Sequence, residues 1–158
     1  MKTTILCVGK IKETFYTDAI AEYAKRLTRF CDFEIIEIPD EKIPDKASDK
    51  EMELIKIREG ERLLSKLKTD SFVITLCIEG KTLSSEELAD TIEKAYNTTN
   101  NITFIIGGSL GLSDSVKSKS NLRLSFGHMT LPHQLMRVVL TEQIYRSFMI
   151  NKGGTYHK

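Results

Sequence analysis

The chain has 158 residues, 41% of them hydrophobic and 28% charged, as in an ordinary soluble globular protein of one domain covering residues 1–158. No apolar run approaches the roughly 20 residues that a membrane helix needs, and Met1–Lys12 lacks a signal-peptide layout. We therefore expect a cytoplasmic protein without a membrane partner. The net charge of +1 hides a segregation, because residues 32–61 carry 11 acids and 5 bases whereas residues 113–158 carry 7 bases and 2 acids. This distribution allows a nucleic-acid partner if the two basic ends fold together.

Predicted strands and helices alternate along the chain. Short apolar or β-branched runs predict five strands, at residues 3–8, 33–38, 72–78, 102–106 and 122–125. Helical spacing and capping signals predict five helices. The first covers about 14–29, the second starts near Ser48, and the third runs from the Ser84–Glu87 capping box to about Tyr96. The fourth is short and starts at Ser113 or Asp114, and the last starts near Pro132. Residues 72–78 show no alternation, which predicts a strand buried on both faces. The order predicts an α/β fold with a mostly parallel sheet flanked by helices.

Three cysteines, Cys7, Cys31 and Cys77, form no close pair. We interpret them as small buried residues in a reducing compartment, and we predict no metal site.

Ligands of open parallel sheets bind beyond the carboxyl ends of the strands. Three such ends carry glycines or polar residues, at 79–81, 107–113 and 125–133. Gly107, Gly108 and Gly111 allow close approach of a ligand, although a plain tight turn is the alternative and no phosphate-loop pattern follows. The segment before Pro132 could offer backbone groups to an adenine edge.

All three histidines, His128, His133 and His157, fall in the last 31 positions. Imidazole is the usual group for moving a proton near neutral pH. Surface histidines placed by chance are the alternative.

Several sequence blocks carry a family resemblance. They are Ile105-Ile106-Gly107-Gly108-Ser109-Leu110-Gly111-Leu112, Met129-Thr130-Leu131-Pro132-His133, residues 137–146 and Tyr156-His157-Lys158, with Val8-Gly9-Lys10, Ile36-Glu37-Ile38-Pro39 and Gly80-Lys81 upstream. Together they resemble the bacterial ribosomal RNA large-subunit methyltransferase H family of knotted SPOUT methyltransferases, over essentially the full chain.

The resemblance implies a homodimer with a C-terminal trefoil knot. It also implies methyl transfer from S-adenosylmethionine to N3 of a pseudouridine in the helix 69 loop of 23S rRNA, within the assembled ribosome. Matching positions would bind the cofactor, namely Leu76, Gly108, Gly127, His128, Met129, Thr130, Leu131 and Pro132. Those matching the substrate site would be His133, Arg137, Tyr156 and His157.

These residues suggest a mechanism. We expect His133 or His157 to help remove the N3 proton, and Arg137 to stabilise the charge that develops on the base. The alternative for Arg137 is a salt bridge on the helix surface, with Glu142 or with an acid elsewhere in the chain. Tyr156 would stack on a base, unless it is an inert tail residue.

The tail could also cross a two-fold axis and complete the partner's site. Two other functions stay open from the residues alone. They are a flavodoxin-like domain that binds a nucleotide or flavin, and a non-catalytic ribosome-binding factor.

Overall fold

The computed structural model describes all 158 residues. The strands are β1 (Lys2–Val8), β2 (Asp32–Ile38), β3 (Ser71–Thr82), β4 (Asn101–Ile106) and β5 (Leu122–Ser125). The helices are α1 (Thr14–Leu27), α2 (Asp49–Lys66), α3 (Ser85–Tyr96), α4 (Asp114–Lys117) and α5 (His133–Asn151). The ten predicted elements are all present, and only β3 extends well beyond its predicted end.

The five strands form one sheet in the order β2-β1-β4-β3-β5. Every neighbouring pair is parallel, so the predicted parallel sheet is confirmed. β1 lies inside the sheet, where Ile5 is opposite Ile35 of β2 and Phe104 of β4. Because all strands run the same way, their carboxyl ends meet at one edge.

Helices cover both faces of the sheet, as expected for parallel strands. Alternate residues of β1 face opposite ways, with Ile5 and Cys7 in one core and Leu6 and Val8 in the other. The larger core holds residues of α1, α3 and α5, and the smaller one holds residues of α2 and α4. Each large aliphatic side chain buried in this way stabilises the fold by about 1.5–3 kcal/mol.

Strand β3 differs from its prediction in length and burial. It pairs with β4 only from Ser71 to Thr75, then continues beside β5 as far as Thr82. Past Thr75 it has lost one neighbour, so Ile78 is 54% exposed. The prediction of a strand buried on both faces is therefore correct for residues 73–75 and wrong for Ile78.

Local signals explain where the helices begin. The predicted capping box at Ser84 and Glu87 is present at the start of α3. Ser48 and Glu51 form a second capping box at the start of α2. Pro132 precedes α5 instead of lying in its first turn. None of the helices combines the length and apolar character required to cross a bilayer.

Candidate functional site

A cavity of about 770 Å³ opens at the carboxyl edge of β3, β4 and β5. Small-molecule sites typically have volumes of about 300–1,000 Å³. Three stretches that are far apart in the chain provide most of its wall, namely residues 76–79, 106–112 and 124–133. The three strand ends singled out in the sequence therefore meet around one cavity.

Nearly all of the predicted cofactor residues line this cavity. They are Leu76, Gly108, Gly127, Met129, Thr130, Leu131 and Pro132. His128 is exposed and is not part of the lining. Binding of a cofactor by these residues remains a prediction, but the structure places seven of the eight around one space.

The glycines after β4 form a wall made of main chain. A β-carbon on Gly107 would lie 2.7 Å from the backbone of Gly111, so no side chain fits there. Gly111 has a φ of +83°, a conformation that glycine adopts without strain. A β-carbon on Gly108 would be 3.2 Å from Val8. This compact turn leaves backbone groups within reach of a ligand.

The extra length of β3 shapes the opposite wall. Leu76 and Lys81 both pair with Leu124 of β5, so the residues between them bulge out of the ladder. Cys77, Ile78 and Glu79 in this bulge line the cavity. The bulge closes at Gly80, where a β-carbon would lie 2.8 Å from the backbone of β5.

The rim of the cavity combines exposed apolar groups with one ion pair. Met129 is 86% exposed, and Ile78, Phe126 and Leu131 are also unusually open for apolar residues. Lys117 donates a hydrogen bond to Glu79, and this contact lowers the pKa of the Glu79 carboxyl. An exposed apolar rim of this kind is typical of a surface that a ligand or partner covers.

Behind the glycine turn lies a buried carboxylate, Glu59 of α2. It is 5% exposed, and its Oε2 accepts a hydrogen bond of 3.0 Å from the backbone N–H of Glu41. Burial raises the pKa of this carboxyl. A β-carbon on Gly108 would lie 3.3 Å from the Glu59 carboxylate, so Glu59 supports the cavity wall from outside.

His133 is the predicted substrate residue that reaches the cavity. Its ring is half-buried, and its Nδ1 has no hydrogen-bond partner within the chain. Burial lowers the pKa of His133, Arg137 lowers it further, and Asp40 opposes them. The neutral imidazole that results is the form able to accept a proton.

Arg137 does not line the cavity. Its side chain is fully buried, and Nη2 donates to the carbonyl oxygens of Val8 at 2.6 Å and Gly9 at 2.8 Å. Nη1 donates to Glu37 at 2.7 Å. The alternative is therefore correct in that Arg137 forms a salt bridge, with Glu37, but wrong in placing it on the helix surface, since the guanidinium is buried. A direct role of Arg137 on the substrate remains a prediction.

Tyr156 and His157 lie together beside α5, where the Tyr156 ring packs against the buried Tyr145. The Tyr156 hydroxyl donates to Glu142 at 2.9 Å, and the guanidinium of Arg146 lies 4.7 Å from the centre of the Tyr156 ring. His157 is 3.1 Å from Arg146 through Nδ1 and 2.8 Å from Glu86 through Nε2. These contacts order the tail, so its last residues are not loosely attached.

Within one chain, the tail cluster and the cavity are well separated. None of Glu142, Arg146, Tyr156 and His157 lines the cavity. Along α5, Arg146 is 13 residues after His133, which corresponds to a rise of about 20 Å. The four predicted substrate residues are thus not brought together in one subunit.

Comparison with known proteins decides the family. A family model described as "Predicted SPOUT methyltransferase" matches residues 1–157. The chain belongs to the SPOUT methyltransferase family. It is therefore an enzyme of the methyltransferase class, as the sequence blocks indicated.

Close relatives of this SPOUT methyltransferase share its full length. Proteins named "Ribosomal RNA large subunit methyltransferase H" are 57% identical to it in Pediococcus pentosaceus and 58% identical in Latilactobacillus sakei, covering 100% of both chains in each case. A solved structure of a probable methylase family protein from Haemophilus influenzae is 12% identical, with a TM-score of 0.53, and covers 99% of this chain and 70% of the other. This last likeness concerns the fold.

Sequence reasoning missed part of the site of this SPOUT methyltransferase. Glu59 was visible only as an acid in the apolar row of α2 that also contains Ile55 and Leu63, at four-residue spacing. The pair of Glu142 and Arg146 has the same spacing on α5 and could have been recognised as a helical ion pair. The contacts of Glu86 with His157 and of Glu37 with Arg137 join distant parts of the chain, and no local pattern indicates them.

Proposed function

We propose that this chain methylates N3 of a pseudouridine in the helix 69 loop of 23S rRNA, in the assembled ribosome and with S-adenosylmethionine as methyl donor. The observation that carries the proposal is the cavity, whose wall contains Leu76, Gly108 and most of the loop from Gly127 to Pro132. The names of the full-length relatives support ribosomal RNA as the substrate. In this proposal the chain acts as a homodimer, and its C-terminal segment forms a trefoil knot.

The residues present fit S-adenosylmethionine. The cavity has about 770 Å³ and is lined by 11 hydrophobic residues among 23, which suits a ligand with an apolar ring and polar ends. Main-chain groups of Gly107, Gly108 and the 127–132 loop would hold the polar edges. When bound, the cofactor supplies a methyl group on a positively charged sulfur, which is already electrophilic.

The chain's own contribution is positioning and proton transfer. N3 of a pyrimidine imide carries a proton, which has to leave before or during methylation. His133 lines the cavity, and burial lowers its pKa, so its imidazole is neutral near pH 7 and could accept that proton directly or through a water. Correct alignment of the base with the methyl group could lower the activation barrier by several kcal/mol. Proximity and orientation can supply about 7–11 kcal/mol in well-oriented reactions.

The separation of Tyr156 and His157 from the cavity supports a site shared between subunits. In a two-fold dimer, the tail cluster of one subunit would lie beside the cavity of its partner. Tyr156 would then stack on the base, and His157 would become a second group able to take the proton. Glu142 and Arg146, which hold the tail, would keep it in position.

The test is methyl transfer from radiolabelled S-adenosylmethionine to 70S ribosomes that lack this modification, followed by mapping of the labelled base. Leu131→Asp should abolish cofactor binding and transfer, because it introduces a carboxylate into the cavity wall. Leu54→Asp is the matched control, since Leu54 is similarly exposed but lies on α2 outside the cavity.

Label on N3 of one pseudouridine in the helix 69 loop would support the proposed methyl donor, the proposed RNA target and the proposed position of the methyl group. Cofactor binding without label on the ribosome would contradict the proposed target. The absence of both would contradict the proposed donor as well, and bound flavin or nucleotide would favour the flavodoxin-like alternative.

A further inference from the structure

The loop between β1 and α1 carries exposed cations and an exposed aromatic ring. Lys10 and Lys12 are exposed, and neither ammonium group forms an ion pair or hydrogen bond within the chain. Phe15, in the first turn of α1, is 60% exposed. We call these three residues the basic loop surface.

Main-chain contacts fix this loop firmly. The carbonyl oxygens of Val8 and Gly9 accept hydrogen bonds from the buried Arg137. The backbone N–H of Ile11 donates to Glu37 at 3.0 Å, and that of Lys12 donates to Gln134 of α5 at 3.2 Å. The backbone that carries both lysines is therefore held in place, while their side chains remain available.

The same contacts place the loop beside the cavity. A β-carbon on Gly9 would lie 3.9 Å from Cε1 of His133, and His133 lines the cavity. β1 is also the sheet neighbour of β4, whose end forms the glycine wall. A polymer whose reacting base enters the cavity would extend over this loop.

The chemistry of the surface fits unpaired RNA. Lysine ammonium groups neutralise phosphates, and an open aromatic face stacks on an unpaired base of any sequence. The ring of Tyr16 packs against Phe15 with centres 4.4 Å apart and restricts its motion. Between Gly9 and Thr17 the chain carries two lysines and one acid, Glu13. Of the acids packed against the loop, Glu37 is neutralised by Arg137, and Asp40 lies beside Gly9.

We propose that Lys10, Lys12 and Phe15 dock the substrate RNA beside the cavity. The two lysines contact phosphates, and Phe15 stacks on an unpaired base next to the one that is modified. This inference rests on the proposed function, because it takes RNA as the substrate.

The first test neutralises the two lysines with Lys10→Gln and Lys12→Gln in one protein. Loss of two phosphate contacts with a single strand should reduce the slope of log affinity against log salt by about 1.4. Ribosome affinity at low salt should fall at least tenfold, with unchanged affinity for S-adenosylmethionine. The matched control is Lys25→Gln with Lys66→Gln, two exposed lysines without ion pairs near the opposite edge of the sheet, and it should bind ribosomes like the unmodified protein.

The second test is Phe15→Ala, which should weaken ribosome binding and leave the oligomeric state unchanged. A change in oligomeric state would overturn the proposal, since the surface would then be a contact between copies of the chain. Equal salt slopes for the neutralised and control proteins would overturn it too. Ribosome binding is measured by sedimentation without methyl transfer, so failure of the chemistry would count against the proposed function alone.

Discussion

Arg137 is predicted from the sequence to act on the substrate, and in the fold it also holds backbone beside the cavity. It lies one helical turn after His133, yet its guanidinium points into the protein and joins the end of β1 to Glu37 of β2. Removal of the guanidinium would leave the buried carbonyl oxygens of Val8 and Gly9 without a donor, whereas Glu37 is exposed and would be solvated. Arg137 thereby holds the backbone at Gly9, which lies next to His133.

We expect Arg137→Ala to reduce the free energy of unfolding by about 2–6 kcal/mol, since each buried acceptor left unpaired costs about 1–3 kcal/mol. The loss arises because two buried carbonyl oxygens, those of Val8 and Gly9, lose their donor. Urea denaturation measures it, with Arg58→Ala as the control, since Arg58 is exposed on α2 and forms no ion pair, so its loss should change little. Unchanged stability together with slow turnover would instead support direct action of Arg137 on the substrate.

The second prediction concerns how His133 makes the stability of the protein depend on pH. Its pKa in the folded protein lies below the ordinary value of about 6.5. As pH falls below about 6.5, the unfolded chain therefore binds a proton that the folded chain does not yet bind. The free energy of unfolding decreases as a result, until the pH falls below the pKa of His133 in the folded protein. Above about pH 6.5 the imidazole is neutral in both states, so His133 causes no such loss of stability.

His133→Asn should therefore lose less stability than the unmodified protein between pH 7.5 and pH 5. Unfolding free energies at the two pH values measure the difference, and NMR titration of the ring gives its pKa directly. Asp40→Asn should lower that pKa further, because Asp40 raises it. An imidazole that titrates at or above 6.5 would contradict the account.

At the scale of elements, β3 shows how a strand forms part of a site after leaving its sheet neighbour. Its first half is a core strand between β4 and β5, and its second half bulges beneath the cavity before pairing with β5 again. The return depends on Gly80, which lies too close to the backbone of Arg123 for any side chain. A glycine in a strand often marks such a close approach.

Gly80→Ala should separate β3 from β5 locally and deform the wall formed by Cys77, Ile78 and Glu79. We expect a stability loss of about 1–3 kcal/mol, as for other overpacking substitutions, and weaker binding of S-adenosylmethionine. Chemical denaturation and calorimetric titration measure the two effects. The neighbouring Lys81→Ala is the control, since Lys81 is exposed; equal behaviour of both variants would contradict the role of Gly80.

Patterns along the chain predicted the elements and the edge where the cavity lies. Strand runs, capping boxes and glycines after β4 are local signals, and parallel strands bring their ends together by necessity. The bulge of β3 could not be predicted, because it depends on β4 ending at Ile106 while β5 continues as a partner. The burial of Arg137 and the anchoring of the tail join residues more than 70 positions apart or on different elements, and only the fold reveals them.

The whole molecule has two predicted site regions that lie apart within one chain. The cavity with His133 lies at one end of α5, and the cluster of Tyr156 and His157 lies near its other end. The open faces of Val138 and Val139 on α5 could be covered by a second copy. A two-fold arrangement would then form two equivalent composite sites.

Mixing two inactive variants tests this arrangement. A cavity variant, Leu131→Asp, and a variant lacking residues 155–158 should each be inactive as homodimers. A mixed dimer would contain one cavity and one tail that are both intact and facing each other, so about a quarter to a half of normal activity should return after subunit exchange. No recovery in verified mixed dimers would indicate sites formed within one subunit, and full activity of the truncated protein would show that the tail is inert.

The strand order also has a consequence for how the chain folds during synthesis. β1 is made first, but its partner on one side is β4, which ends about a hundred residues later at Ile106. While the ribosome is still producing α2 and β3, one edge of the apolar β1 has no partner, and an open apolar edge is prone to aggregation. Pairings of such long range are slow to form. The nascent chain is therefore most vulnerable between the appearance of β2 and the completion of β4.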